Sequence, residues 1–508
     1  MDEKTDSAGT HPDPENKLQA IVSNALAGDF DAAVAGARLL TDKAVAMEAW
    51  SQLARINANS QRWDAAISAL ESALQHEPGS RPLRLQHALL LERHGRMSAA
   101  LAELEQLERE AADTSQLLVH LARALQFAGR GIEAERKVDV ALSRWPTDIP
   151  LHTLLAQLRW QHGAGDAATA RLERAIEQFP RELQLRLVAA DLLRNAGRPQ
   201  RALRLLEEGL KLAPESVAFL TSIGVLLDGL DRPEAALPYL QAAMARAPGL
   251  AQSKRNLIPT LLRVATPAQA LRLCEELSAQ LPDDQQLIAY RATALRLRGD
   301  DEYRRLHDYR RLVRIYQPPP PPGFADIAAF NSALAYELGQ LHRSAQRPLT
   351  QSLRGGSQTD GNLPADNSLV AGFFAMIDAP IRDYIARLGD SDPGHPTVRR
   401  RSAGYRIAGS WSVQLQPGGF HINHVHPQGW LSSAYYVELP SGFEAGSERA
   451  GWLKFGEPGV PLASCPPDHF VKPEPGMLVL FPSYMWHGTV PFTSGGRRLP
   501  AAFDVVPA

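Results

Sequence analysis

Alanine recurs at Ala66, Ala100, Ala134, Ala168, Ala202, Ala236 and Ala270, seven times at an unbroken spacing of 34 residues. A period of that length marks supersecondary units that cannot bury their apolar faces alone and must stack. Pro78, Pro146, Pro180, Pro214, Pro248 and Pro282 keep the same period, with Ala112 in the one missing place. Gly95, Gly129, Gly163, Gly197 and Gly299 form a third series, interrupted by Asp231 and Ala265. Together they describe a helical hairpin: small alanine lets the second helix approach the first, glycine permits the turn, and proline stops the second helix. Over 47–78, Trp50, Leu53, Ala54, Ala66, Leu70 and Ala73 fall at helical spacing on faces that would meet. The array from about 47 to 284 is therefore expected to be a right-handed superhelix with a concave groove, and 17–46 and 285–314 are its degenerate terminal units.

The chain of 508 residues is too long for one core, and its texture changes after residue 315. Tyr316 and Gln317, the prolines Pro318 to Pro322 and Gly323 form a joint at 316–323, because a proline run donates no backbone hydrogen bond and prefers an extended helix. Helical patches at 327–341 and 369–388 flank a polar loop at 351–367. Strands are then expected at 405–416, 430–439, 452–455, 476–482 and 499–506, punctuated by glycine-bearing turns. Several such strands predict a double-stranded β-helix, or jelly-roll, over 324–508. Residues 1–16, rich in Asp, Glu, Pro, Ser and Thr, are expected to be disordered and have no signal-peptide pattern, and 17–315 is the solenoid.

A net charge of -2, from 54 basic and 56 acidic residues, disfavours nucleic acid or an anionic membrane as partner. No run of 18 apolar residues suggests a membrane span. Cys274 and Cys465 are too far apart in sequence for a disulfide framework, so a reducing cytoplasm is expected. No phosphate-binding loop, serine nucleophile elbow or Cys-x-x-Cys pair is present.

Three of the fifteen histidines crowd 421–426. A single histidine is usually structural, but in a strand alternate residues share a face, so His424 and His426 are expected to aim into the barrel mouth while His421 points away. His487, after the strand at 476–482, is the candidate third ligand. Three imidazoles suit iron, zinc, copper or nickel, so ligand type alone does not name the metal.

The 34-residue units resemble the tetratricopeptide-repeat family in their Trp, Leu, Gly, Ala and Pro positions. That resemblance implies a protein or peptide partner in the groove. The segments 419–426, 429–437, 475–482 and 498–503 resemble a 2-oxoglutarate and iron(II) oxygenase family. Carried over by motif, the resemblance implies that His424, His426 and His487 bind Fe(II). It further implies that Arg498 grips the far carboxylate of 2-oxoglutarate, with Tyr435, Tyr436 or Ser433 helping, while Arg497 turns outward. The implied reaction uses O2 to convert 2-oxoglutarate to succinate and carbon dioxide while hydroxylating a substrate C–H bond. Two departures stand out: His426 occupies a place where a carboxylate is commoner, and Pro500 stands where a serine commonly follows the arginine. They leave open whether His426 or a carboxylate is the third ligand. They also motivate two other readings, a non-catalytic scaffold with a degenerate barrel and a three-histidine oxygenase that does not use 2-oxoglutarate. The polar stretch 351–359 is expected to be a loop, either across the barrel mouth or plain surface.

Overall fold

The computed structural model describes residues 14–60, 62–110, 114–342, 353–359, 362–364, 367–390, 392–442, 448–493 and 495–508. It divides into two compact units, Met1–Arg130 and Gly131–Ala508. In the first, the helices Pro14–Leu26, Phe30–Arg38, Lys43–Asn59, Trp63–His76, Arg81–Arg93, Met97–Arg109 and Ser115–Phe127 follow one another. The segment expected to be disordered thus becomes helical at Pro14, and residues 1–13 lie outside the described ones. Asp29, Asp42 and Thr114 each accept a backbone N–H at a helix start, which stabilises a helix by about 1 kcal/mol per cap.

Helical pairs continue in the second unit from Gly131–Arg144 to Gln285–Leu297. All seven periodic alanines are buried, six of them at 0% exposure, as close helix approach requires. The prolines stand just past their helices, Pro146 two residues after Arg144 and Pro248 two after Arg246. The periodic glycines Gly95, Gly129, Gly163, Gly197 and Gly299 all have positive φ, and the two residues interrupting them take the same conformation, Asp231 at 62° and Ala265 at 57°. The turn geometry is therefore kept where glycine is lost, at a cost of about 1–2 kcal/mol for an L-residue such as alanine. Ala112 of the proline series lies outside the described residues.

The second unit ends in strands β1 (Arg314–Tyr316), β2 (Leu353–Gln358), β3 (Tyr405–His421), β4 (Leu431–Glu438), β5 (Leu453–Phe455), β6 (His469–Val471), β7 (Leu478–Pro482), β8 (His487–Thr489) and β9 (Leu499–Pro507). One sheet has the order β1-β7-β4-β9-β3-β2 and the other β6-β5-β8. Every pairing is antiparallel. The sheets face each other, with Phe455 of β5 and Phe481 of β7 in edge contact at 5.0 Å between ring centroids. The helices Ile327–Leu341 and Ser368–Arg387 cover the other face of the large sheet, where Phe373 meets Tyr435 of β4 at 5.2 Å. This is the jelly-roll with flanking helices. Being covered on both faces, β7 is buried at every residue.

Two expectations are corrected here. The chain joins the large sheet before the proline run, because β1 pairs with β7 as an edge strand. Of the stretch expected to be a loop, 351–352 lie outside the described residues, and 353–358 form β2, paired with β3. Gly355 and Gly356 explain why a polar, glycine-bearing segment can do this. Gly355 sits at φ 67°, and a Cβ on Gly356 would lie 2.1 Å from the Gln414 carbonyl oxygen, so the register shift there needs glycine. Among the described residues no helix is long and apolar enough to cross a membrane.

Candidate metal centre

His421 ends β3, and the next residues leave the strand before His424 forms an isolated bridge with His487 at the start of β8. Their backbones exchange both hydrogen bonds, His424 N to His487 O at 3.0 Å and His487 N to His424 O at 3.1 Å. The bridge brings the two imidazoles together with centroids 4.3 Å apart, and His426 lies 5.1 Å from each. One nitrogen from each of the three can be chosen so that all lie within 4.8 Å of one another.

The other nitrogens decide what the cluster can do. His424 Nδ1 lies 2.8 Å from the Ile422 carbonyl oxygen, and His487 Nδ1 lies 2.9 Å from that of Met485. A carbonyl only accepts, so each Nδ1 carries the proton and each Nε2 keeps its lone pair. His426 Nδ1 faces the Asp504 carboxylate at 2.6 and 2.8 Å. The Ser432 hydroxyl donates to Asp504 at 2.7 Å and is itself 2.9 Å from the Ser483 hydroxyl. Three histidines thus share one tautomer, with an acceptor behind each ring, the usual arrangement for imidazoles that ligate a metal. Burial, and then repulsion from His426, lowers the His424 pKa to about 3, and burial with repulsion from His424 and His426 holds His487 well below its ordinary value. Both are neutral near pH 7, the form a cation needs.

His421 does not point away as expected. It lines the same cavity, its ring 5.6 Å from that of His424, and its pKa is lowered by burial and by the nearby His424 and Arg498. Alternation holds only within a continuous strand, and the chain leaves β3 between the two residues.

Arg498 lines this cavity too and is 3% exposed. Its guanidinium lies over the Tyr436 ring at 5.0 Å, its Nε has no hydrogen-bond partner, and no carboxylate among the described residues pairs with it. The Tyr436 hydroxyl faces the same guanidinium and interacts with it. Arg497 turns outward to an ion pair with Glu438 at 2.8 Å. Tyr435 faces the helix layer, donating to Asn331 Oδ1 at 2.7 Å, so it is a core residue removed from Arg498. Ser433 borders the cavity, but its hydroxyl donates to Phe503 O and accepts from Phe503 N, both at 2.8 Å. Trp411, Val413, Leu453 and Phe481 supply apolar walls. A buried cation without a counter-ion costs several kcal/mol, so this cavity fits a ligand bearing a carboxylate.

Sequence reasoning missed Asp504, although alternation along β9 from Arg498 through Pro500 and Ala502 puts it on the cavity side. Its carboxylate stands behind the His426 ring, one imidazole and a hydrogen bond further from the metal position than a carboxylate ligand would be. Replacing Asp504 with asparagine should weaken Co(II) or Fe(II) binding by about ten- to a hundredfold in a calorimetric titration. Unchanged affinity would remove Asp504 from the site.

Residues 409–504 match the family model described as "Putative 2OG-Fe(II) oxygenase", a segment containing all three histidines, Arg498 and Asp504. Residues 59–118 and 159–222 match the tetratricopeptide-repeat model. No curated protein matches the sequence. Among solved structures, yeast Tom70 is similar at 16% identity over 59% of this chain and 69% of its own, with a TM-score of 0.42. A tetratricopeptide-repeat protein from Parabacteroides merdae is similar at 13% identity over 49% and 98%, with a TM-score of 0.35. One from Thermus thermophilus is similar at 21% identity over 42% and 99%, with a TM-score of 0.26.

Proposed function

We propose, from the match of residues 59–118 and 159–222 to the tetratricopeptide-repeat model and of 409–504 to the 2OG-Fe(II) oxygenase model, that this chain hydroxylates a protein or peptide recruited by its repeats. The observation that carries the proposal is Arg498, a buried guanidinium without a counter-ion in the same cavity as three metal-ready imidazoles.

Fe(II) held here would, with 2-oxoglutarate and O2, supply the oxidation: one oxygen atom would go into succinate as carbon dioxide is released, and the other into a substrate C–H bond. The chain's own groups provide the setting. His424, His426 and His487 offer three Nε2 lone pairs, and three protein ligands leave positions for co-substrate and oxygen. Asp504 keeps the His426 proton on Nδ1 and so fixes the ring. The planar fork of Arg498 suits two parallel bonds to one carboxylate, and burial strengthens them. Tyr436, whose ring lies under the guanidinium and whose hydroxyl interacts with it, is the phenol best placed to assist. The apolar walls limit water around the reacting centre.

A macromolecular substrate is supported by the first unit, where the helices Lys43–Asn59, Arg81–Arg93 and Ser115–Phe127 border a groove. Its lining mixes Arg55, Arg93 and Arg123 with Glu48, Glu92 and Leu89, a surface suited to an extended peptide. A reducing compartment such as the cytoplasm suits the two free, buried cysteines. Incubating the full chain with Fe(II), 2-oxoglutarate, oxygen and lysate should release succinate and leave a protein heavier by one oxygen in mass spectrometry. Succinate no greater than with Arg498→Ala would sink the proposal.

A further inference from the structure

Trp486, the residue before His487, is 5% exposed, and its indole packs on the helix Gln285–Leu297, a helix of the repeat array. Its Nε1 donates to the Thr293 hydroxyl at 3.1 Å, and that hydroxyl donates onward to the Ala289 carbonyl at 2.9 Å. A hydroxyl has one proton, so both roles of Thr293 are fixed and the indole has a defined acceptor. Tyr290 packs on the indole with ring centroids 5.7 Å apart. Arg296 donates to the carbonyls of Gly456 at 2.9 Å and Pro466 at 2.8 Å. Gly456 N in turn donates to Trp486 O at 3.0 Å, and the neighbouring Phe455 is paired with His487 across β5 and β8. Tyr290, Thr293 and Arg296 are three residues apart and share one helix face. Tyr484, two residues before Trp486, donates from its hydroxyl to the Leu306 carbonyl, also outside the barrel.

The segment carrying the distal histidine is thus gripped on its flank by the end of the repeat array. We infer that Thr293, with Tyr290 and Arg296, is a positioning residue for the metal centre: through Trp486 the helix Gln285–Leu297 sets where His487 stands. This makes the repeat array part of the metal site as well as a means of recruitment, and it rests on the reading that the three histidines hold a metal.

The test is a titration of the full chain with Co(II), which accepts imidazole ligands and reports their geometry in its visible spectrum. Thr293→Val, which keeps the volume and removes the acceptor, and Trp486→Phe, which removes the donor, should each weaken Co(II) binding about tenfold and alter the spectrum. Thr293→Ser, which keeps the hydroxyl, should bind as the unaltered chain does. Circular dichroism checks that each variant is folded. On the unaltered chain, hydrogen exchange over 285–297 should slow when Co(II) binds, since coupling between two sites is reciprocal. Folded Thr293→Val with unchanged affinity and spectrum would overturn the inference. Exchange over 285–297 that is indifferent to bound Co(II) would also overturn it, whatever the folding of the variants. If the unaltered chain binds no Co(II), the three-histidine reading fails first and this inference fails with it.

Discussion

Replacing Arg498 with alanine should weaken 2-oxoglutarate binding by about thirtyfold to several thousandfold while leaving metal affinity close to that of the unaltered chain. Truncating one partner of a buried, hydrogen-bonded charge pair costs about 2–5 kcal/mol, and each 1.4 kcal/mol is about a factor of ten. Arg498 is suited to be that partner because it is 3% exposed and its Nε is unpaired, so the binding free energy waits on an incoming carboxylate. Lysine should restore little, since it brings charge without the planar fork. Arg498→Met separates this loss from misfolding: it keeps much of the side-chain bulk and removes a buried, uncompensated charge, so the ligand-free protein should not lose thermal stability. A 2-oxoglutarate affinity unchanged in Arg498→Ala would mean that the guanidinium serves something else.

The second large effect is expected at His487. His487→Ala should abolish metal binding at concentrations that saturate the unaltered chain, a loss beyond the about ten- to a hundredfold due to an outer partner such as Asp504. His487 makes both backbone hydrogen bonds of the bridge to His424, and these persist when only the side chain is removed. The two sheets should therefore stay joined, and metal loss should appear without unfolding. His424→Ala should behave alike. Retained stoichiometric metal in either variant would show that the imidazoles are not the ligands.

How much of this was legible in the sequence depended on how far each signal extends along the chain. Seven alanines at one period reported the hairpins because every one meets the same steric demand, and all seven are buried. His424, His426 and His487 were legible because three imidazoles in two short segments are a dense chemical signal, and the structure groups them. The failures are local. His421 lines the cavity although strand alternation predicts the opposite side, because β3 ends at His421 and alternation does not extend to His424. β2 resembled a loop because its two glycines serve a register shift that only a neighbouring strand reveals. β1, three residues long, is too short to show any period. Tyr435 and Tyr436 are adjacent and chemically alike, and only the sheet's two faces separate the one that meets Asn331 from the one beneath Arg498. The hold of Thr293 on Trp486 links residues 193 positions apart, with no local pattern in either segment to announce it.

The most direct measurement is an anaerobic titration of the Fe(II)-loaded full chain with 2-oxoglutarate, followed by visible absorption. A saturable charge-transfer band should form, and it should be absent from Arg498→Ala at the same concentrations. Fully loaded iron that gives no band would contradict 2-oxoglutarate chelation at the three-histidine centre. Oxygen uptake by that same iron without 2-oxoglutarate would then mark a three-histidine oxygenase of another kind.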